Sequence, residues 1–190
     1  NGQDNVIKRN GDSEIFSFDK ISKRIILLGK NELTVNYTTL VKKIADRIYN
    51  EITTREIDEL LAQQCASQTT IHPDYGILAS RVLISNHHKN TNGAYNDTVI
   101  GLYNYTDMHG KHCPIISKRL YDLVMENLEE IEKMFKFNRD YLFDYFGFKT
   151  LERAYLLKIN DVIVERPQHM WMRVALSIHG SNLEKVKNTY

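Results

Sequence analysis

The rhythm of apolar and polar positions changes several times along the chain, first within Val6 to Ile25, VIKRNGDSEIFSFDKISKRI. Val6 to Arg9 opens on an alternation, Asn10-Gly11 is a turn dipeptide, and Glu14 to Phe18 is a second short β-prone run, which together predict a hairpin. Asp19 then stands before Ile21, Ile25 and Leu28, whose i, i+4, i+7 spacing is helical, so the second strand is expected to run into an Asp-capped helix. Asn31 to Asn36 is polar and reads as a loop. Leu40, Val41, Ile44, Ala45, Ile48 and Ile52 then form one apolar stripe, a second helix. Thr53-Thr54 offers a cap for a third helix that buries Ile57, Leu60, Leu61 and Cys65, with Asp58 turned from that stripe toward something polar. Pro73 suits the first turn of a fourth helix, carrying Ile77, Leu78, Val82 and Leu83 and ending near Thr91, Asn92 and Gly93.

From Tyr95 the character becomes more aromatic. Helical patterns cover Asp97 to Tyr105, Ser117 to Leu128 and Glu129 to Phe137, and the run YLFDYFGF reads first as packing residues. Leu156 to Ile159 and Val162 to Glu165 flank Asn160-Asp161 as a second hairpin. Pro167 begins an apolar helix through Met170, Val174 and Ile178, and Ser181 is placed to cap a last helix still running at Tyr190, as in a chain cut within a helix. The sum is a mainly α chain with small β elements, an α+β fold. Asn1 to Asn5 carries no periodicity and reads as a leader or expression remnant.

Composition narrows the partners. Twenty-five Lys and Arg against 24 Asp and Glu leave a net charge of +1, without the basic footprint of sequence-independent nucleic-acid binding, so no nucleic acid is expected. Lys149 and Lys158 among aromatics are read as packing. No apolar run approaches the ~18 residues of a membrane span and no signal-peptide core follows the N-terminus, which predicts a cytoplasmic chain without membrane contact. Cys65 and Cys113 are too few for a disulfide framework or a thiolate zinc site and read as structural thiols. His109, His112 and Cys113, like His87-His88, lack a complementary pair, so no metal site is expected.

One group carries candidate chemistry. Lys8, Arg9 and Lys20 fall on a short sheet edge beside a helix start, where converging donors and the helix's partial positive charge make a polyphosphate cradle. A solvated basic hairpin is the alternative.

The run VIKRNG, followed by E, F and DKI, resembles the opening of an ATP-cone, the regulatory nucleotide-binding module of ribonucleotide reductase large subunits. ITT followed by EID, HPDYGILASRVLISNHHK, GKHCPIIS, DYFGFKTLERAYLLKI and ERPQHMWMRVALSIH continue that resemblance, in order, to the N-terminal part of the class I, eukaryotic and viral type. It implies an ATP-cone over residues 6–96, a helical bundle capped by a short sheet, then over 97–190 a truncated start of the helical domain that precedes the catalytic barrel. It places Lys8 and Arg9 at a triphosphate, Glu14, Ile15, Phe16, Ser17, Phe18, Asp19 and Lys20 around the nucleotide, and Thr54, Asp58 and Lys89 to complete the site. Position 15 departs from the pattern, being Ile where animal members carry a basic side chain, so no polar contact is carried over there. The implied effectors are ATP as activator and dATP as inhibitor, with Mg2+ accompanying the triphosphate and no resident cofactor. The implied partners are the small, radical-generating subunit and further copies of the large subunit.

The parent enzyme would be an oxidoreductase making deoxyribonucleoside diphosphates for DNA synthesis. Its chemistry needs three barrel cysteines that neither Cys65 nor Cys113 matches, so no catalytic residue is expected here and the stretch should regulate without reacting. The other class considered is a nucleotide-sensing module or transcriptional regulator built on the same cone. A bacterial repressor of that kind carries paired CxxC motifs before the cone, and none is present here.

Overall fold

The computed structural model describes residues 4–190 and divides into two compact units, residues 4–90 with 141–148, and residues 91–140 with 149–190. The first unit runs to Asn90 and takes in the aromatic run of residues 141–148.

In the first unit β1 (Asn5–Ile7) is central: it pairs antiparallel with β2 (Ser13–Ile15), Val6 facing Glu14, and parallel with β3 (Ile52–Thr53), Val6 facing Ile52. The connection between β1 and β2 is longer than a two-residue turn. Lys8 N donates to Asp12 O at 2.8 Å, Gly11 adopts φ +89°, and Asn10 Oδ1 accepts from Asp12 N at 3.1 Å. The parallel partner β3 departs from expectation. Helical spacing predicts Ile52 as the end of the second helix, but α2 (Tyr37–Ala45) stops before it, and Ile52 is buried in the sheet. A strand of two residues is too short to alternate, and Ile52 lies four after Ile48, so its pattern imitated a helix.

Helix α1 (Phe18–Gly29) buries Ile21 and Ile25. Asp19 is not its cap: Ser17 holds that position without a side-chain bond, and Asp19 lies in the first turn, where its charge complements the helix end. Thr53 caps α3 (Thr54–Ser67) in a reciprocal box with Glu56, Glu56 N donating to Thr53 Oγ1 at 3.1 Å and Thr53 N to Glu56 Oε2 at 2.8 Å. Pro73 directly precedes α4 (Asp74–Asn90). These helices close a core of Ile25, Leu40, Ile44, Ile52, Leu61, Cys65 and Leu78, to which Phe148 contributes a fully buried ring. Other members of the aromatic run do not pack as expected. Leu142 and Phe146 are 84% and 71% exposed.

The second unit is built from α5 (Tyr95–Tyr103), α6 (Lys118–Glu126), α7 (Leu128–Met134), α9 (Pro167–His179) and α10 (Leu183–Thr189), with the hairpin β4 (Lys158–Ile159) and β5 (Val162–Ile163). Between the units in sequence runs α8 (Tyr145–Ala154), which belongs to the first through Phe148 and to the second from Lys149. Asn160 and Asp161 take φ values of 49° and 62°, the left-handed pair that a tight hairpin turn requires. Asn182, not Ser181, caps α10, its Oδ1 accepting from Lys185 N at 3.2 Å, and Tyr190 N still donates to Val186 O at 2.9 Å. Cys65 is buried, and burial pushes its thiol up to about 12, whereas Cys113 is exposed and holds no packing role.

Candidate functional site

Three pieces of the first unit meet beside the small sheet: the β1–β2 loop carrying Lys8 and Arg9, the start of α3 carrying Thr54 and Asp58, and the end of α4 carrying Asn86, Lys89 and Asn90. Asp58 turns from the α3 stripe toward polar groups as its helical position predicts, but it is buried rather than open, its side chain 4% exposed. Its Oδ2 accepts from Arg9 Nη2 at 3.1 Å and forms an ion pair with Arg24 Nη2 at 2.9 Å. Burial pushes the Asp58 carboxyl above its ordinary range, while Arg24, Arg9 and Lys89 act against that shift. Burial and the neighbouring guanidiniums of Arg24 and Arg9 lower the Lys89 ammonium. Three cations therefore surround one carboxylate, an excess of positive charge in a partly desolvated place.

Arg9 is spread across every wall of this corner. Beyond Asp58, its Nε donates to Asn90 Oδ1 at 2.8 Å, its Nη1 to Thr54 Oγ1 at 3.3 Å, and its Nη2 to Asn86 Oδ1. Lys8 and Lys20 take another direction, both reaching Glu14 Oε2, at 2.9 and 2.7 Å. Those bonds, from Lys20 first and then Lys8, hold the Glu14 carboxyl below its usual range. The expected cation cluster is thus two clusters.

Two cavities lie on either side of Thr54, which lines both. One, of about 160 Å³, is walled by Val6, Ile15, Phe16, Ile21 and Ile57, with Glu14, Ser17, Lys20, Arg24 and Asp58 as its polar points. The other, of about 400 Å³, is lined by Lys8, Arg9, Arg55 and Lys89 with Ile7, Thr53, Thr54 and Asn90. An apolar slot with a few convergent polar groups suits a flat heteroaromatic ring and its sugar, and a basic cavity at a helix start suits a polyanion.

Ten of the twelve residues predicted for the site line these cavities: Lys8, Arg9, Glu14, Ile15, Phe16, Ser17, Lys20, Thr54, Asp58 and Lys89. Phe18 and Asp19 line neither. Helix α1 begins at Phe18, which turns that residue outward, 51% exposed with its ring edge-on to Phe16 at 4.9 Å, and leaves Asp19 exposed in the first turn. Arg24, Arg55, Asn86 and Asn90 were missed. Ser17, Lys20 and Arg24 recur at helical spacing along one face, and Asn86 and Asn90 are four apart, signals that bear on a ligand only once the fold brings them to Asp58. No group of three or more His, Cys, Asp or Glu side chains placed to hold a metal occurs among the described residues. Nor is any described helix long and apolar enough to cross a membrane.

Residues 4–90 match the ATP cone domain, and residues 141–190 match the all-alpha domain of ribonucleotide reductase. The chain is 45% identical over 188 residues to ribonucleoside-diphosphate reductase large chain 2 of Saccharomyces cerevisiae, covering 97% of this chain and 22% of the yeast protein. It is 43% identical over 188 residues to the large subunit of Danio rerio and 45% identical over the same number to that of Vaccinia virus, covering 97% of this chain and 24% of each relative. The chain thus spans less than a quarter of the length of the yeast and fish relatives it matches so evenly. An ATP-cone followed in the same polypeptide by the reductase all-alpha domain, at such identity along its whole length, makes this chain a member of the ribonucleoside-diphosphate reductase large-subunit family, corresponding to its N-terminal region.

Proposed function

We propose that the first unit is an allosteric nucleotide sensor that binds ATP or dATP, with the triphosphate in the basic cavity and the nucleoside in the apolar one. The observation that carries this reading is the cluster of Arg9, Arg24 and Lys89 around the single carboxylate of Asp58, at the junction of the two cavities. Lys8, Arg9 and Lys89 neutralise phosphate oxygens, Thr54 supplies a hydroxyl and the start of α3, and Asp58 accepts from sugar hydroxyls. Ile15, Phe16 and Ile57 cover the base. Mg2+ enters with the triphosphate and stays on its oxygens, because Glu14 and Asp58 are both engaged by cationic side chains.

In the whole protein this sensor would set overall activity, ATP raising and dATP lowering the reduction of ribonucleoside diphosphates. Residues 6–96 would form the regulatory domain and residues 97–190 the beginning of the catalytic subunit, working in the cytoplasm with a radical-generating small subunit and further large subunits. The 190-residue chain holds two cysteines where the chemistry calls for three. It should therefore bind both nucleotides in calorimetry yet turn over no diphosphate when supplied with small subunit and a thiol reductant. Absence of nucleotide binding, or turnover by the chain alone, would overturn the assignment.

A further inference from the structure

Asp58 offers both of its guanidinium partners the same oxygen, and those partners belong to different cavities: Arg9 lines the basic one and Arg24 the apolar one. Arg24 holds the shorter contact, 2.9 against 3.1 Å, and it is the more buried of the two, its side chain 21% exposed against 28%. Its Nη2 also reaches Ser85 Oγ at 3.4 Å, while its Nε is buried without a partner. Arg9 divides its donors among four side chains, three of them neutral, whereas a polyphosphate would offer it several anionic oxygens at once.

We infer that Arg24 is a positioning residue of the nucleotide site: it keeps the Asp58 carboxylate in place when an incoming polyphosphate draws Arg9 away, and so makes phosphate binding in one cavity prepare the other to hold the nucleoside. The inference rests on the nucleotide reading above. Without ligand, Asp58 Oδ2 is shared by two guanidiniums. Once Arg9 turns to phosphate, one of those contacts is released, and an acceptor of fixed orientation faces the apolar cavity, where a sugar hydroxyl can donate to it. Without Arg24, departure of Arg9 would leave the carboxylate with no guanidinium to fix its orientation, and phosphate binding would no longer prepare the apolar cavity. Lys89 is the remaining nearby cation.

The two halves of the ligand should therefore help each other even when they are not joined. The test is calorimetry on the 190-residue chain, titrating adenosine with and without saturating inorganic tripolyphosphate. Tripolyphosphate is expected to raise adenosine affinity by about fivefold or more. In Arg24→Gln that enhancement should vanish and ATP affinity should fall about tenfold, while tripolyphosphate alone binds within a factor of about three of the parent. Arg24→Lys, which keeps a cation beside Asp58, should recover most of the loss. A merely structural arginine would weaken tripolyphosphate and ATP alike. If the parent binds ATP but tripolyphosphate leaves adenosine binding unchanged, the role of Arg24 is refuted while the nucleotide site stands. If the parent binds neither ATP nor tripolyphosphate, the site itself is refuted. The coupling is read on the parent chain, so a variant that fails to fold cannot shelter the proposal.

Discussion

Each unit buries one carboxylate against arginine, and the two arrangements are finished differently. In the second unit Glu165 receives Arg173 as a two-pronged pair, Nε to Oε2 at 2.9 Å and Nη2 to Oε1 at 3.1 Å, and Leu157 N adds a bond to Oε1 at 3.3 Å. One cation meets one anion with both oxygens used, and the Glu165 side chain is 1% exposed. In the first unit two guanidiniums crowd a single oxygen of Asp58, a lysine stands close by, and Oδ1 has no hydrogen-bond partner among the described residues. A balanced, saturated pair holds a fold together. An unbalanced one with a spare acceptor, whose two arginines line different cavities, is what the proposed nucleotide site calls for.

The sharpest way to separate the two is to break the closed pair. Arg173→Ala leaves Glu165 buried without its guanidinium and should cost the second unit about 3 to 5 kcal/mol in urea unfolding, with ATP binding to the first unit unchanged. Loss of ATP binding without loss of stability would reverse the roles assigned to the two clusters. At the open cluster, Asp58→Asn keeps the size but exchanges an acceptor for a donor. It should change the response to dATP more than the affinity for ATP, a coupling on the order of 1 to 3 kcal/mol, read by paired titrations and by sedimentation of the complete large subunit with each nucleotide. A variant that assembles and is inhibited like the parent would reduce Asp58 to a buried helix carboxylate. Lys8→Ala should weaken ATP and dATP by one common factor of about ten, since a phosphate cation touches what both share, and should leave the unfolding midpoint in place.

The two cysteines give the smallest effect and a pH-dependent one. The reactive form is the thiolate, and burial lifts the Cys65 thiol to about 12, so Cys65 of the first unit should resist alkylation at about pH 8 and become reactive only as pH climbs toward that value or the unit unfolds. Exposed Cys113 of the second unit should be labelled in the native chain. Mass spectrometry of one adduct before denaturation and two after would bear this out, and rapid labelling of Cys65 in the native state would contradict the packing of the first core.

What the sequence made legible was local. The Asn10-Gly11 turn, the Thr53 cap with Glu56 three residues on, and the apolar stripe of the first helix are each written within a few turns or one hairpin, and each stands in the structure. Asp58 was legible as a carboxylate that leaves its helix's apolar face, because that depends only on helical spacing. Its burial was not legible, since Arg9 and Arg24 come from 49 and 34 positions away in the chain, and nothing near Asp58 announces them. Arg24 failed for the same reason: a cation at the margin of an apolar stripe looks solvated until the fold gives it a buried partner. Phe18 and Asp19 differ in the other direction, lining neither cavity. They flank residues that line the cavity, but the helix begins at Phe18 and its rotation carries both side chains away.

The central claim is that the open cluster in the first unit is a nucleotide site. Calorimetric titration of ATP into the 190-residue chain and into Arg9→Ala tests it most directly, because Arg9 alone touches Asp58, Thr54, Asn86 and Asn90 together. The prediction is a single salt-dependent site in the parent and a loss of affinity of about tenfold or more in the variant, with no loss of secondary structure. Parent and variant binding ATP equally, or neither binding it, would contradict the claim.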